Sequence, residues 1–339
     1  MNKHNLLLYV AKRFALLLPQ LLGISLVTFV FLHLLPGNPA YLIAGSLASP
    51  IEIRSIQHHL GLDQPIYVQY VIYVSNLIHG DLGNSWLSGN AVWSDLIQRV
   101  PATLELVSIA VVIVAILGTA LGVVVAVKPN GLISRAIFGY GLLAGALPDF
   151  WIGLILIFVL YSKLHLAPAP LGQLDINVHA PHTVTGMYVI DSVLTGNWNA
   201  FSSSAQHLIL PEMTLVFVYT GLVVRMAAAS MQSVMRTDYI RTARASGLSR
   251  ARIIWKALRN ALPPVVTVLG ISYSYLLGGA VLVETIFSWG GIGQYAVQSV
   301  SNSDYMAIEG FVLAAAVFTM IVYLIVDVGH FLLDPRVSA

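Results

Sequence analysis

Residues 238–264 read "DYIRTARASGLSRARIIWKALRNALPP". They hold Arg241, Arg244, Arg250, Arg252, Lys256 and Arg259, in a chain of which only 9% is charged. What so basic a stretch can be is limited by what surrounds it. The rest is apolar: 57% of all residues are hydrophobic and the mean hydropathy is +0.81. A soluble domain carries about 25% charged residues, so this chain has too little polar surface to face water all round, and reads as an integral membrane protein. The net charge of +2 is small, so the placement of charge tells more than its sum. There are no cysteines, which excludes a disulfide or a thiolate metal site.

Working outward, six stretches approach the ~20 apolar residues a helical span needs: 14–35, 102–127, 133–161, 208–231, 263–286 and 307–333. Helix is the expected form, because a helix satisfies its own backbone where lipid offers no partner. The alternating pattern of a membrane barrel is absent. The first apolar run is longer than a signal-peptide core, so it is expected to be retained as a span. Of the 17 lysines and arginines, Arg54, Arg99 and Lys163 lie in the odd-numbered loops and the remaining fourteen lie on the other side. By the positive-inside rule both termini and the 238–264 stretch are cytoplasmic.

Within that stretch, Gly247 permits left-handed dihedrals and is a natural stop for a helix over "YIRTARAS". Ser249 is placed to cap a second helix, "RARIIWKALRNAL". Ile253, Ile254, Ala257 and Leu258 share one face of it. Pro263 and Pro264 are tolerated in the first turn of a helix, so the fifth span is expected to begin there. Contact with anionic headgroups explains the charge but not the length or the helix–glycine–helix plan. Docking of a cytoplasmic partner explains both, with Tyr239, Ile240 and Ala243 entering a groove and arginines at its rim.

The segment resembles the cytoplasmic loop by which permeases of ATP-binding-cassette importers dock on their ATPases. Arg241-Thr242-Ala243 stands where the family has Glu-Ala-Ala, and Gly247 is the family glycine; arginine in place of the glutamate is similar to the peptide-permease branch. Further stretches agree in collinear order: "LPGNPA" (35–40), "LGLDQPIYVQYVIYVSNLIHGDLGNSW" (60–86), "RVPATLELVSIAVV" (99–112), "LPDFWIGLILI" (147–157), "HLILPEMTL" (207–215) and "VETIFSWGGIGQYAVQSV" (283–300). Together they resemble the first-type permease subunit of dipeptide and oligopeptide importers.

The resemblance implies an all-α type I importer permease in a bacterial inner membrane. It implies a heterodimer with a second permease, two cytoplasmic ATP-binding subunits that carry ATP and magnesium, an external or lipid-anchored solute-binding protein, and a peptide substrate. The docking residues would be Tyr239, Ile240, Arg241, Thr242, Ala243, Arg244, Gly247 and Leu248. The chain would divide into a cytoplasmic N-terminus (1–13), a first span (14–35), an external loop with short amphipathic helices (36–101), a core of five spans containing the docking loop 236–262 (102–333), and a cytoplasmic tail (334–339). Membrane lipids are expected partners and nucleic acid is not.

No G-x-x-x-x-G-K-[ST] loop is present, so neither nucleotide nor catalysis is expected on this chain. His179 and His182 are too few for a metal set, His58-His59 is weaker still, and no cofactor is expected. Asp149 interrupts the third span, where a carboxylate costs about 2.5–3.5 kcal/mol on insertion scales. Two readings fit it: a group lining a substrate path, or a hydrogen-bonded packing residue beside Pro148. Trp151, Tyr273, Tyr275 and Glu284 complete the candidate path, with Gly278-Gly279 giving width; a helix–helix contact would use the same tyrosines and glycines. Glu105, Glu212, Glu284 and Glu309 fall near external span ends and are expected to be solvated there or to give the mouth a negative potential. The rival cargoes are nickel, glutathione and haem. The rival classes are an ion-coupled secondary transporter, with Asp149 as relay, and a non-transporting scaffold.

Overall fold

The computed structural model describes residues 3–34, 48–59 and 61–333; the "LPGNPA" motif and the C-terminal tail lie outside them. The described residues form twelve α-helices and one π-helical segment. In chain order these are α1 (Lys3–Leu34), α2 (Pro50–His59), α3 (Ile66–Ile78), α4 (Val92–Val127), α5 (Leu132–Ala144), α6 (Asp149–Leu156, continued as a π segment over Ile157–Lys163), α7 (Tyr188–Leu194), α8 (Trp198–Met235), α9 (Asp238–Ala245), α10 (Arg250–Ile286), α11 (Ile292–Ser301) and α12 (Tyr305–Leu333). Five helices, α1, α4, α8, α10 and α12, are long and apolar enough to cross a membrane.

The third predicted span is not one straight helix. α5 and α6 meet at a bend of 109°. The cause is local: Pro148 disfavours helical dihedrals at Leu147 and itself adopts ψ 137°, ahead of the first turn of α6. Counted as one broken span, the pair brings the crossings to six. The fifth span also differs from expectation. It starts at Arg250, and Pro263 and Pro264 sit inside α10 rather than at its start.

The chain divides into two compact units, one within Met1–Val100 with Gln294–Met320, the other within Pro101–Gly293 with Ile321–Ala339. In the first, Ser49 and Glu52 cap α2 reciprocally: the Ser49 N–H donates to Glu52 Oε2 (2.7 Å) and the Glu52 N–H to Ser49 Oγ (3.3 Å), the two-way arrangement of a capping box. The Ser49 N–H and the Ser49 hydroxyl (2.9 Å) both donate to the Glu52 carboxyl and hold it below its ordinary range. α3 lies on α1 through Tyr70, whose hydroxyl meets Leu22 O (3.2 Å) and Ser25 Oγ (3.1 Å). Phe29 and Tyr73 stack beside it at 5.7 Å. Asp304 caps α12, accepting from the Ala307 N–H, and also holds the 85–87 turn through Ser85 Oγ at 2.6 Å.

In the second unit α8 is the central helix, packed on α5, α6, α7 and α10. Its approach to α4 needs glycine: a Cβ on Gly122 would lie 2.5 Å from Ala227 Cβ and 3.0 Å from the Val224 carbonyl. Small residues let helix backbones come this close. The apolar core here runs through Leu106, Leu210, Leu215, Leu276 and Trp289.

Candidate functional site

The basic segment folds as two helices with a defined corner. α9 ends in a Schellman arrangement: the Gly247 N–H donates to Arg244 O (3.0 Å) and the Leu248 N–H to Ala243 O (3.3 Å), with Gly247 at φ +73°. This uses two carbonyls that the helix end leaves without partners. Ser249 occupies the N-cap position of α10, as expected, but its side chain makes no capping bond.

The face assignment needs one correction. Ile240 does not wait for a partner. It is fully buried within this chain, in an apolar cluster with Ala126, Met231, Ile253, Ala257 and Ala261. Leu248 is half-buried against the same cluster. The cause is that α9 folds back on α10, which the Tyr239 hydroxyl also meets through Asn260 Nδ2 (2.8 Å). The surface left for another molecule is therefore Tyr239, Arg241, Thr242, Arg244 and Gly247, with Ala243 half-covered. Arg241 pairs with Asp238 one turn back at 3.0 Å, in the open.

The candidate path residues are not gathered in one place. Asp149 opens α6, with its Oδ1 accepting the Phe150 N–H at 2.8 Å. Its carboxylate meets the Tyr219 hydroxyl of α8. That hydroxyl donates to the Tyr275 carbonyl of α10 at 3.0 Å. Gly279 closes the group: a Cβ there would overlap both Asp149 Oδ2 and Tyr219 Oη. One hydroxyl proton serves one acceptor at a time, so Tyr219 satisfies either the α10 backbone or the Asp149 carboxylate. Trp151 lies two residues on, about half exposed. Tyr219 carried no signal in the sequence beyond being an aromatic residue in a span.

Tyr273 and Tyr275 diverge. The Tyr275 side chain is 63% exposed, whereas Tyr273 packs on the apolar core and reaches Ser108 of α4. Glu284 lies in neither environment. It is fully buried and accepts from Thr103 Oγ1 at 2.5 Å. Thr103 Oγ1 in turn accepts the Ile292 N–H at 2.9 Å. Gly291 and Gly293 of "WGGIG" permit this closure, since a Cβ on Gly291 would meet Thr103 and Glu284, and one on Gly293 would lie 2.6 Å from Val281 Cα. Glu284 thus holds a loop together rather than facing an open path.

The other three glutamates are also buried, against the expectation of a solvated mouth. Glu105 accepts the Val189 N–H at 2.8 Å, at the start of α7. Glu212, beside Pro211, has no hydrogen-bond partner for either carboxyl oxygen among the described residues. Glu309 lines a cavity in the first unit. Burial follows from helix packing that a single-helix reading does not contain.

Residues 118–339 match the family described as binding-protein-dependent transport system inner membrane component, and residues 6–107 match the N-terminal part of such membrane components. The chain belongs to this family. It is a multi-pass inner-membrane component of a transport system, and the five long apolar helices and the bent pair accord with that. A probable D,D-dipeptide transport system permease protein of Escherichia coli (strain K12) is 42% identical over 317 residues, 93% of each chain. A di/tripeptide transport system permease protein of Pseudomonas aeruginosa (strain UCBPP-PA14) is 38% identical over 98% of this chain and 99% of its own. A glutathione transport system permease protein of Escherichia coli O6:H1 is 35% identical over 97% of this chain and 98% of its own.

Proposed function

We propose that this permease carries short peptides, forming the path with a second permease and drawing its energy from two cytoplasmic ATP-binding subunits. The observation that supports this reading most is the near full-length similarity to permeases whose names specify dipeptides and di/tripeptides. An external or lipid-anchored binding protein would deliver the substrate. ATP and magnesium would be held by the partner ATPases.

The exposed face of α9, centred on Arg241, Thr242, Ala243 and Arg244, would be the docking surface. α10 is one helix from Arg250 to Ile286, with Pro263 and Pro264 inside it, so a push on the α9–α10 corner would reach the Tyr275–Gly279 region along a single element. There Asp149, Tyr219 and the α10 backbone would form the polar point of the path, with Trp151 and the Tyr275 ring beside it.

The test is uptake of a labelled dipeptide into proteoliposomes holding this chain with its partners. Uptake should require ATP and compete with di- and tripeptides more strongly than with glutathione, nickel or haem. Stronger competition by glutathione would transfer the assignment to that cargo, which the glutathione-permease relative makes the leading alternative. Uptake driven by a proton gradient without the ATPases would remove the importer reading altogether.

A further inference from the structure

The first unit holds a partly open cavity of about 850 Å³ that the transport reading does not use. Its size falls within the range of about 300–1,000 Å³ typical of small-molecule sites. The wall is mainly apolar and rich in rings: Phe29, His33, Tyr73, Trp86 and Tyr305. None of its described lining residues is lysine or arginine.

Two polar groups in this wall lack partners. Glu309 lines the cavity and is 6% exposed, and no hydrogen-bond donor reaches it among the described residues. The Tyr73 hydroxyl, an electrostatic neighbour of Glu309, is buried and also unpartnered. A buried carboxyl beside an apolar wall stays ionised only where a cation or a donor meets it, and is otherwise neutralised by a proton. The structure thus pairs an acceptor lacking a donor with aromatic faces, which attract cations in their own right.

We propose that this cavity binds a primary organic ammonium joined to an apolar body, in the form of the amino terminus of a short hydrophobic peptide. The ammonium group donates to Glu309 and Tyr73, and the apolar part lies against Phe29 and Trp86. The irregular backbone at 61–64 and 81–86 forms part of the wall. Such backbone is not exposed to hydrocarbon, so the ligand enters from water rather than from the bilayer. The choice of a peptide rests on the transport reading; the cation-and-apolar chemistry does not.

The experiment measures binding of tritiated leucyl-leucine to the full-length chain in phosphatidylcholine nanodiscs, without nucleotide or binding protein. Binding should weaken by at least about tenfold for the N-acetylated dipeptide and for Glu309→Gln, the loss expected of a charge-assisted hydrogen bond. Asn76→Trp, which fills the cavity from the exposed side of α3, should abolish it. Equal binding of free and acetylated peptide, or undiminished binding by both variants, overturns the proposal. So does retention of phosphatidylethanolamine by the parent and not by Glu309→Gln, with dileucine unaffected, since the amine would then come from lipid. Loss of ATP-driven uptake in the reconstituted system would bear on the transport reading and leave this binding measurement unchanged.

Discussion

Gly278 and Gly279 are adjacent in sequence and alike in composition, yet their surroundings differ. A Cβ on Gly278 meets nothing within 4 Å, whereas one on Gly279 overlaps the Asp149 carboxylate and the Tyr219 hydroxyl. Gly278→Ala should be neutral or should stabilise by up to about 1 kcal/mol through helix propensity. Gly279→Ala should leave membrane levels near the parent and reduce dipeptide uptake, because the Asp149–Tyr219 pair must part; equal uptake by the two variants would show that the pair plays no role. Asp191 gives a second prediction at this scale. It is 1% exposed and accepts from the N–H groups of Val184, Thr185 and Gly186 and from Thr185 Oγ1. Burial opposes its ionisation, but these donors outweigh it and hold the carboxyl below the ordinary range. The contribution is therefore complete above the unfolded aspartate value of about 3.9 and is lost as pH falls through the lower folded value. Asp191→Ala should cost roughly 3 kcal/mol at neutral pH by stranding three N–H groups, read as a lower melting temperature in detergent. The difference from the parent should narrow only on strong acidification.

Among the elements, the α9–Gly247–α10 corner is the most specified. Its two closing hydrogen bonds need an N–H at Gly247 and a positive φ there. Proline supplies neither. Gly247→Pro should leave a complex that reaches the membrane but no longer couples ATP hydrolysis to uptake. Ala243→Asp, which puts a charge on the half-covered face, should do the same. Arg250→Gln, at the exposed start of α10, should be mild. Measured ATPase rate and uptake in one preparation check all three: normal coupling in every variant would leave this segment only a topological anchor. The burial of Ile240 adds a contrast. Ile240→Ala opens a cavity in this chain's own cluster and should lower stability by about 2–5 kcal/mol, detectable as heat lability of the isolated chain.

For the whole molecule, topology turns on the bent pair. Read as one broken span, α5–α6 would carry the chain from the cytoplasm, where the positive-inside rule puts Lys128 before α5 and Arg135 in its first turn, to the outside before α7. Because the chain has no cysteine of its own, single replacements report cleanly. A cysteine at Ala169 or Asn84 should react with an impermeant thiol reagent from outside. One at Asn130 or Ser249 should react only after permeabilisation. Labelling of Asn130Cys and Ala169Cys from the same side would make the pair a re-entrant loop.

Membrane residence, the stop at Gly247 and the α9–α10 plan were legible from the residues alone, because each rests on a local rule: apolar length and the dihedral freedom of glycine. The continuity of α10 through Pro263 and Pro264 was not, since prolines inside a helix and prolines opening one look the same until neighbouring helices fix the backbone around them. The glutamates were misjudged for a related reason. Hydropathy places a carboxyl near a span end, but whether it meets water, a Thr103 hydroxyl, the α7 backbone or a cavity wall depends on which helix packs beside it. Tyr219 joins Asp149, though 70 residues separate them in the sequence, and Ile240 turns inward, only through contacts between helices. Those contacts are set by the fit of side-chain volumes across facing helices, a property of pairs of segments that no single segment carries.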